Sequence, residues 1–538
     1  MRPIRVFFYI DSGAMISHCV TAAELIRKQL GAHIIMMLFD TEKYLNETMK
    51  NYEVYDCGSL FSVPKRFVPV WPPVKKKMKR RRRRIFGLGI VRLLRTRSAL
   101  AASAQLGVQS KIVQAILVPP LFILIVAFRM LRFARIILRQ LRYAVRIRLR
   151  KTLVDPLRGT QAVQLGQQLS RLLLSANGVN QFLRAIKPDV IVLPEDNVET
   201  LSTIFVAKGR ARSIPSIIIP FTIPNPLEPA RYYINNPLYQ AKGPFARPLT
   251  AYYPKWRIQH EGKDLFRQPA IKALCLEMLG LSSPAPWILN RGEAVSIALD
   301  SEAQRDLYLE LGFPPAQLKV IGDMNGEVFH QGRSNKERLV EELFAKHGLQ
   351  PGRPLILCAF PPDQYGGTDT SRFEFPSYDA LIQAWMESFK ALGKRANILI
   401  RPHPRISIDR LAGFEDSNIK FTWQPTAELV PLCDLYVASI SATIRWAIAC
   451  GIPTVNYDTF RYRYADYDSA AGVIGVEKVD EFRALIARFI DDPVFAAELA
   501  ERQRSVMKYW GQLDDKVAER LSALVVEAVT DAGRLRPN

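Results

Sequence analysis

The sequence predicts an α/β protein built from two doubly wound, parallel-sheet domains that face each other across a cleft. Three observations predict it. Ile4 to Ile10 is an apolar run, Asp11-Ser12-Gly13 makes a turn, Ala14 to Leu30 carries apolar residues at helical spacing, and Ile34 to Phe39 is a second strand. Between Asn397 and Asp458, two apolar runs each end in a polar loop and a third closes the unit. The chain has 538 residues, more than one core usually holds.

The elements follow in order. A helix from Ala162 to Ile186, with a break expected near Gly178, leads to strand Asp189–Leu193, helix Glu199–Arg212 and strand Ser216–Phe221. Proline-rich loops run to about Pro286, and strand Ala294–Leu299, helix Ser301–Leu311 and strand Leu318–Ile321 finish the first domain, residues 1–330. The second domain, 350–510, opens with strand Leu355–Phe360 and a loop containing Gly366 and Gly367. Helices from Val479 to about Val529 close the chain, the last as a C-terminal segment, 511–538.

The net charge of +23 suggests a nucleic-acid binder until its location is examined. Residues 57–154 contain no Asp or Glu and 24 Lys and Arg, which leaves 74 − 24 = 50 basic against 51 acidic residues elsewhere. The excess therefore belongs to one insert, and no specific nucleic-acid partner is expected. Within it a K-K-K-M-K-R-R-R-R-R run precedes 17 uncharged residues, Ile112 to Phe128, interrupted by Pro119-Pro120. Arginines 129, 132, 135, 139, 142 and 146 then mark one face of an amphipathic helix. That pattern predicts attachment of residues 75–150 to an anionic membrane surface at about 1 kcal/mol per basic residue. The apolar run is shorter than the ~20 residues a span requires, and a single crossing would split one sheet between compartments. A buried hairpin or a basic loop is the alternative. Six widely spaced cysteines indicate neither a disulfide framework nor a zinc site, and the N-terminal apolar run is too short for a signal peptide. The expected location is cytoplasmic, peripheral or monotopic at the inner membrane.

Chemistry is expected at strand ends. Glu195 and Asp196 follow Leu193, where a carboxylate can accept a proton from an attacking hydroxyl. An ordinary helix cap is the competing reading. His403 lies between two prolines and beside Arg401 and Arg405, a grouping suited to a phosphate. Ser439, Ser441 and Thr443 precede a short helix whose backbone N–H groups favour an anion. Gly13, Gly366 and Gly367 are further cleft candidates where backbone could approach a ligand, though a plain turn explains each alone. Asp458 could hold a ribose hydroxyl. No H-E-x-x-H or EF-hand pattern supplies a metal site, so metal-independent chemistry is expected.

In order, Glu195-Asp196-Asn197, His403-Pro404 and the Ser439, Ser441, Thr443 cluster resemble the motifs of bacterial GT-B surface-polysaccharide glycosyltransferases of the sialyltransferase and polysialyltransferase type. The resemblance covers roughly the last two thirds of the chain, and Asn197 stands where that type has glycine. It implies a GT-B-like fold of two Rossmann-like domains, with Glu195 or Asp196 as base and His403 and the hydroxyl cluster on the donor phosphate. It also implies a nucleotide-sugar as substrate, no cofactor, and a glycan or lipid-linked glycan as acceptor. The expected function is an inverting, metal-independent glycosyltransferase of capsule or lipopolysaccharide biosynthesis. A nucleotide-sugar 2-epimerase or hydrolase of the same fold and a non-catalytic membrane scaffold are the alternatives.

Overall fold

A computed structural model describes residues 2–41, 49–61, 70 and 161–533, apart from 367–369, 404, 405, 407 and 412. Strands β1 (Arg5–Ile10), β2 (His33–Leu38), β3 (Glu53–Asp56), β4 (Val190–Leu193), β5 (Ser216–Ile218), β8 (Ser296–Leu299) and β9 (Leu318–Val320) form one sheet in the order β3-β2-β1-β4-β5-β8-β9. Between β5 and β8 the chain makes a separate antiparallel hairpin, β6 (Arg257–His260) with β7 (Lys263–Phe266). The second sheet runs β12-β11-β10-β13-β14-β15, from β10 (Leu355–Ala359), β11 (Asn397–Arg401), β12 (Ile419–Phe421), β13 (Leu435–Ala438), β14 (Thr454–Tyr457) and β15 (Val473–Val476). Within each of these two sheets every pairing is parallel. The two Rossmann-like domains expected from the sequence are present.

The parallel strands read as unbroken apolar runs because helices cover both faces of each sheet. Val6, Phe8, Met36, Val190 and Val192 are fully enclosed in the first core, and Leu381, Trp385, Ile398 and Phe482 in the second. The final helix, Val517–Asp531, is expected as a closing segment of its own. Its Val517, Leu521, Leu524 and Val525 instead join Val6, Ile26 and Met36 in the core of the first domain. At roughly 1.5–3 kcal/mol per fully buried aliphatic side chain, this return stitches the chain's end to its beginning.

Gly178 does not break its helix, which runs continuously from Gln161 to Ile186. A Cβ at Gly178 would stand 2.6 Å from the Leu60 carbonyl oxygen, so the glycine lets helix and loop backbone touch. The stretch expected as proline-rich loop holds helices Leu227–Tyr233, Ala246–Tyr252 and Ala270–Met278 and the β6–β7 hairpin, and the edge strands β3, β12 and β15, whose apolar residues are bounded or broken by Glu, Asp, Lys or Gly, also escape the sequence pattern. Among the described residues no helix is long and apolar enough to cross a membrane. The membrane-binding expectation for residues 75–150 lies outside the described residues.

Candidate functional site

Each sheet reverses its strand order once, between β1 and β4 in the first and between β10 and β13 in the second. Chain leaving neighbouring strands at such a point diverges to opposite faces and opens a crevice at their carboxyl ends. In the first domain that edge carries Asp11, Ser12 and Gly13 after β1 and Glu195 and Asp196 after β4. In the second, Ala359 is level with both Arg401 and Ala438, so the His403 loop and the Ser439 loop leave the same edge two strands apart, about 10 Å. Asp458 leaves that edge too, just beyond β14.

The two edges meet. Arg445, in the helix Ile444–Cys450 that follows the serine loop, donates to the Phe221 carbonyl at 3.1 Å. Its other terminal nitrogen lies 3.1 Å from Asp300 Oδ2, both residues being buried. Trp446 donates its indole N–H to Asp323 at 2.7 Å, and Asn225 reaches Asp466 at 3.5 Å. Asp300 and Asp323 follow β8 and β9, so the first domain's carboxyl edge touches the second at several points.

Glu195 and Asp196 do not cap the helix that follows, which begins only at Ser202. Asn197 organises the turn instead: its Oδ1 accepts from Glu199 N, and its backbone N–H donates to Ser202 Oγ. Its amide also donates to Glu195 Oε1 at 3.1 Å, while Thr222 Oγ1 donates to Glu195 Oε2 at 3.2 Å. Burial, with the nearby charges of Asp11 and Glu228, pushes the Glu195 carboxyl up to about 7 despite those two hydrogen bonds. The neighbouring carboxyl of Asp196 is pushed up to about 7 by burial, then by Glu195 and Glu293. Asp196 is locked by its backbone, which exchanges hydrogen bonds with Asn290 at 2.8 and 3.0 Å. One of its oxygens lies 1.7 Å from where a Cβ on Gly292 would be. Their hydrogen bonds distinguish the pair: Glu195 is held by Asn197 and Thr222, whereas Asp196 Oδ1 has no partner among the described residues.

Both carboxylates line a pocket of about 360 Å³, together with Thr222, Asn225, Glu228 and Trp287. A second, smaller space of about 70 Å³ shares Glu228 and Tyr232 with it and is closed by Phe373, Phe460 and Tyr462 of the second domain.

No family model matches the chain, and no curated protein does. Among solved structures, the chain is similar to a glycosyltransferase of kitacinnamycin, at 14% identity over 98% of this chain and 100% of that one, TM-score 0.49. It is similar to the UDP-GlcNAc 2-epimerase of Neisseria meningitidis bound to UDP-GlcNAc, at 11% over 98% and 100%, TM-score 0.45. It is also similar to a variant of the wall teichoic acid polymerase TagF, at 9% over 98% and 89%, TM-score 0.48. At such identities and scores these likenesses assign no role to any residue of this chain.

On the second domain, Ile440 between the two serines has φ +47°, a left-handed conformation that costs a β-branched residue of order 1–3 kcal/mol. Asn456 Oδ1 holds it by accepting from Ile440 N at 2.9 Å. Ser441 and Thr443 share a hydrogen bond at 2.7 Å, and Thr443 also bonds Tyr436. Ser439 Oγ is buried and has no hydrogen-bond partner among the described residues. His403 is half-buried, and its carbonyl accepts from Ile406 N. Arg401 turns its guanidinium onto the Trp423 ring at 5.2 Å and donates to the Gln424 and Pro402 carbonyls, so those donors are engaged within the sheet edge. Arg405 and Gly367 lie outside the described residues. A Cβ on Gly366 would meet nothing within 4 Å, as in an ordinary open turn. Asp458 accepts from Arg463 N at 2.6 Å and so shapes its own loop, leaving Oδ1 without a partner among the described residues.

Sequence reasoning missed Asp11, Thr222 and Arg445. A signal existed for the last, a lone charge in the apolar run I-R-W-A-I-A-C. Thr222, inside P-F-T-I-P-N-P, had none. It missed His18 as well, which bonds the Ile219 carbonyl at 3.0 Å and packs edge-on against Phe221. Burial lowers the pKa of that imidazole.

Proposed function

We propose that the chain is an inverting, metal-independent glycosyltransferase that uses a nucleotide-sugar donor in bacterial surface-polysaccharide biosynthesis, of the sialyltransferase-like type its motifs resemble. The observation that carries this reading is Glu195: a carboxylate titrating near neutrality in a pocket at the first sheet's switch point. A base with that pKa is half ionised at pH 7 and can still accept a proton.

In the proposed reaction the acceptor hydroxyl lies against the first domain and gives its proton to Glu195. Its oxygen attacks the anomeric carbon, a new C–O bond forms, and the bond from that carbon to the donor phosphate oxygen breaks on the opposite side. The leaving nucleotide takes the electron pair and the configuration inverts. The donor phosphate would be received by His403, Ser439, Ser441 and Thr443, where the strained Ile440 turn supports a preorganised anion site. Residues 75–150 would hold the enzyme at the cytoplasmic membrane face, where a lipid-linked acceptor diffuses in two dimensions.

The test is a panel of nucleotide-sugars incubated with the full chain, with and without glycan acceptors, reading nucleotide release and product mass. Transfer that requires an acceptor is expected, with a loss of about 10²–10⁴ in kcat for Glu195→Gln. Release of an epimerised or hydrolysed sugar without acceptor would replace this reading by the epimerase or hydrolase. Absence of both nucleotide binding and turnover would leave the scaffold.

A further inference from the structure

The 360 Å³ pocket has a charge that constrains what can enter it. Four carboxylates line it, Glu195, Asp196, Glu199 and Glu228, against a single cation, Arg267. Its terminal nitrogens are already committed: buried, it pairs with Glu199 and reaches Asn197 Oδ1 at 3.4 Å, and only its enclosed Nε lacks a partner among the described residues. Asp196 is 4% exposed, and its Oδ1 has no hydrogen-bond partner among the described residues. A buried acceptor atom left open this way costs free energy unless a donor arrives to fill it. The remaining wall is aromatic. Trp287 is held by its indole N–H on the Trp256 carbonyl at 2.8 Å, and Tyr233 by its hydroxyl on Glu199 at 2.9 Å and its ring stacked on Tyr239 at 3.7 Å.

We propose that this pocket selects an acceptor whose terminal sugar is uncharged, and that Glu228 at its rim is a determinant of that selection. The inference rests on the reading of Glu195 as the acceptor's base. Carboxylates offer lone pairs to sugar hydroxyls, and fixed aromatic rings offer a face to the apolar side of a pyranose. An acidic sugar or sugar phosphate would add a negative charge where no cation is free among the lining residues to meet it. One such charge about 5 Å from a carboxylate, at an effective dielectric near 20, disfavours binding by at least about tenfold.

The experiment uses the full chain and a set of neutral disaccharides, each paired with its uronic-acid counterpart, and reads dissociation constants by saturation-transfer NMR without donor. The expected result is at least about a tenfold preference for the neutral member of each pair, shrinking several-fold in Glu228→Gln. Glu228 is exposed, so that variant is expected to fold, and the ratio for the native protein stands without it. Equal or tighter binding of the acidic members, an unchanged ratio in the variant, or no binding by any pair overturns the proposal. Neutral sugars that bind preferentially while no nucleotide-sugar is consumed would sink the glycosyltransferase reading and leave only the pocket's preference for uncharged sugars, without an acceptor role. Consumption with acidic acceptors preferred would do the reverse.

Discussion

Arg445 of the second domain stands 3.1 Å from Asp300 of the first, and both are almost completely buried. The same guanidinium donates to the carbonyl of Phe221, one residue before the threonine that bonds Glu195. Glu195 is therefore linked to the serine-loop helix of the other domain through Thr222, the Phe221 carbonyl and Arg445.

Breaking that ion pair should be costly because the survivor is left charged and dry. Arg445→Ala is expected to lose about 3–5 kcal/mol of stability in urea unfolding. Adding Asp300→Ala should restore a substantial part, and a double variant whose loss equals the sum of the two single losses would show that the pair carries no coupling.

Glu195 should govern the pH dependence of turnover. A base titrating at about 7 predicts kcat/KM rising with pH through neutrality and levelling above it, with the rise absent in the residual activity of Glu195→Gln. A profile flat from pH 5 to 8 would count against Glu195 as the base.

Stability should move the other way. Between its ordinary value of 4.5 and about 7 the folded state keeps a proton on Glu195 that the unfolded chain has lost, so stability falls as pH rises through that window. Asp196 adds to the same trend. Glu195→Gln should remove roughly 3 kcal/mol of the loss between pH 4.5 and 8, measured by denaturation at each pH.

Thr222 and Asn197 each favour the ionised form of Glu195 by donating to it. Thr222→Val should move the rising limb of the rate profile to higher pH. An unshifted limb with a merely lower plateau would make Thr222 a packing residue.

Residues 75–150 should bind anionic membranes by themselves in the sense that their removal abolishes binding. Flotation of the full chain with phosphatidylglycerol vesicles, lost on deleting 75–150 and weakened by salt, is the expected outcome. Equal flotation of the deletion variant would place the membrane contact elsewhere.

Much of the architecture was readable from one dimension. The runs V-F-F-Y-I, V-I-V-L, L-I-L-C-A and L-Y-V-A are apolar without alternation, which only strands buried on both faces sustain, and each ends in polar loop residues. That pattern puts Glu195, Asp196, His403 and Ser439 at strand ends. It could not place β3, β12 or β15, whose apolar residues are bounded or broken by Glu, Asp, Lys or Gly, nor the hairpin strands β6 and β7, nor explain Gly178, whose reason is a carbonyl more than a hundred residues away.

What the sequence by itself determined, then, was the central strands of the two parallel sheets, the helices that cross between them and the confinement of excess charge to one insert, because these depend on neighbours along the chain. Only the tertiary structure decided that Asn197 and Thr222 grip Glu195, that Arg401 turns to Trp423, and that Arg445 joins the domains. Each of those contacts pairs side chains brought together by burial, and the raised pKa of Glu195 follows from the same enclosure, which no local pattern encodes.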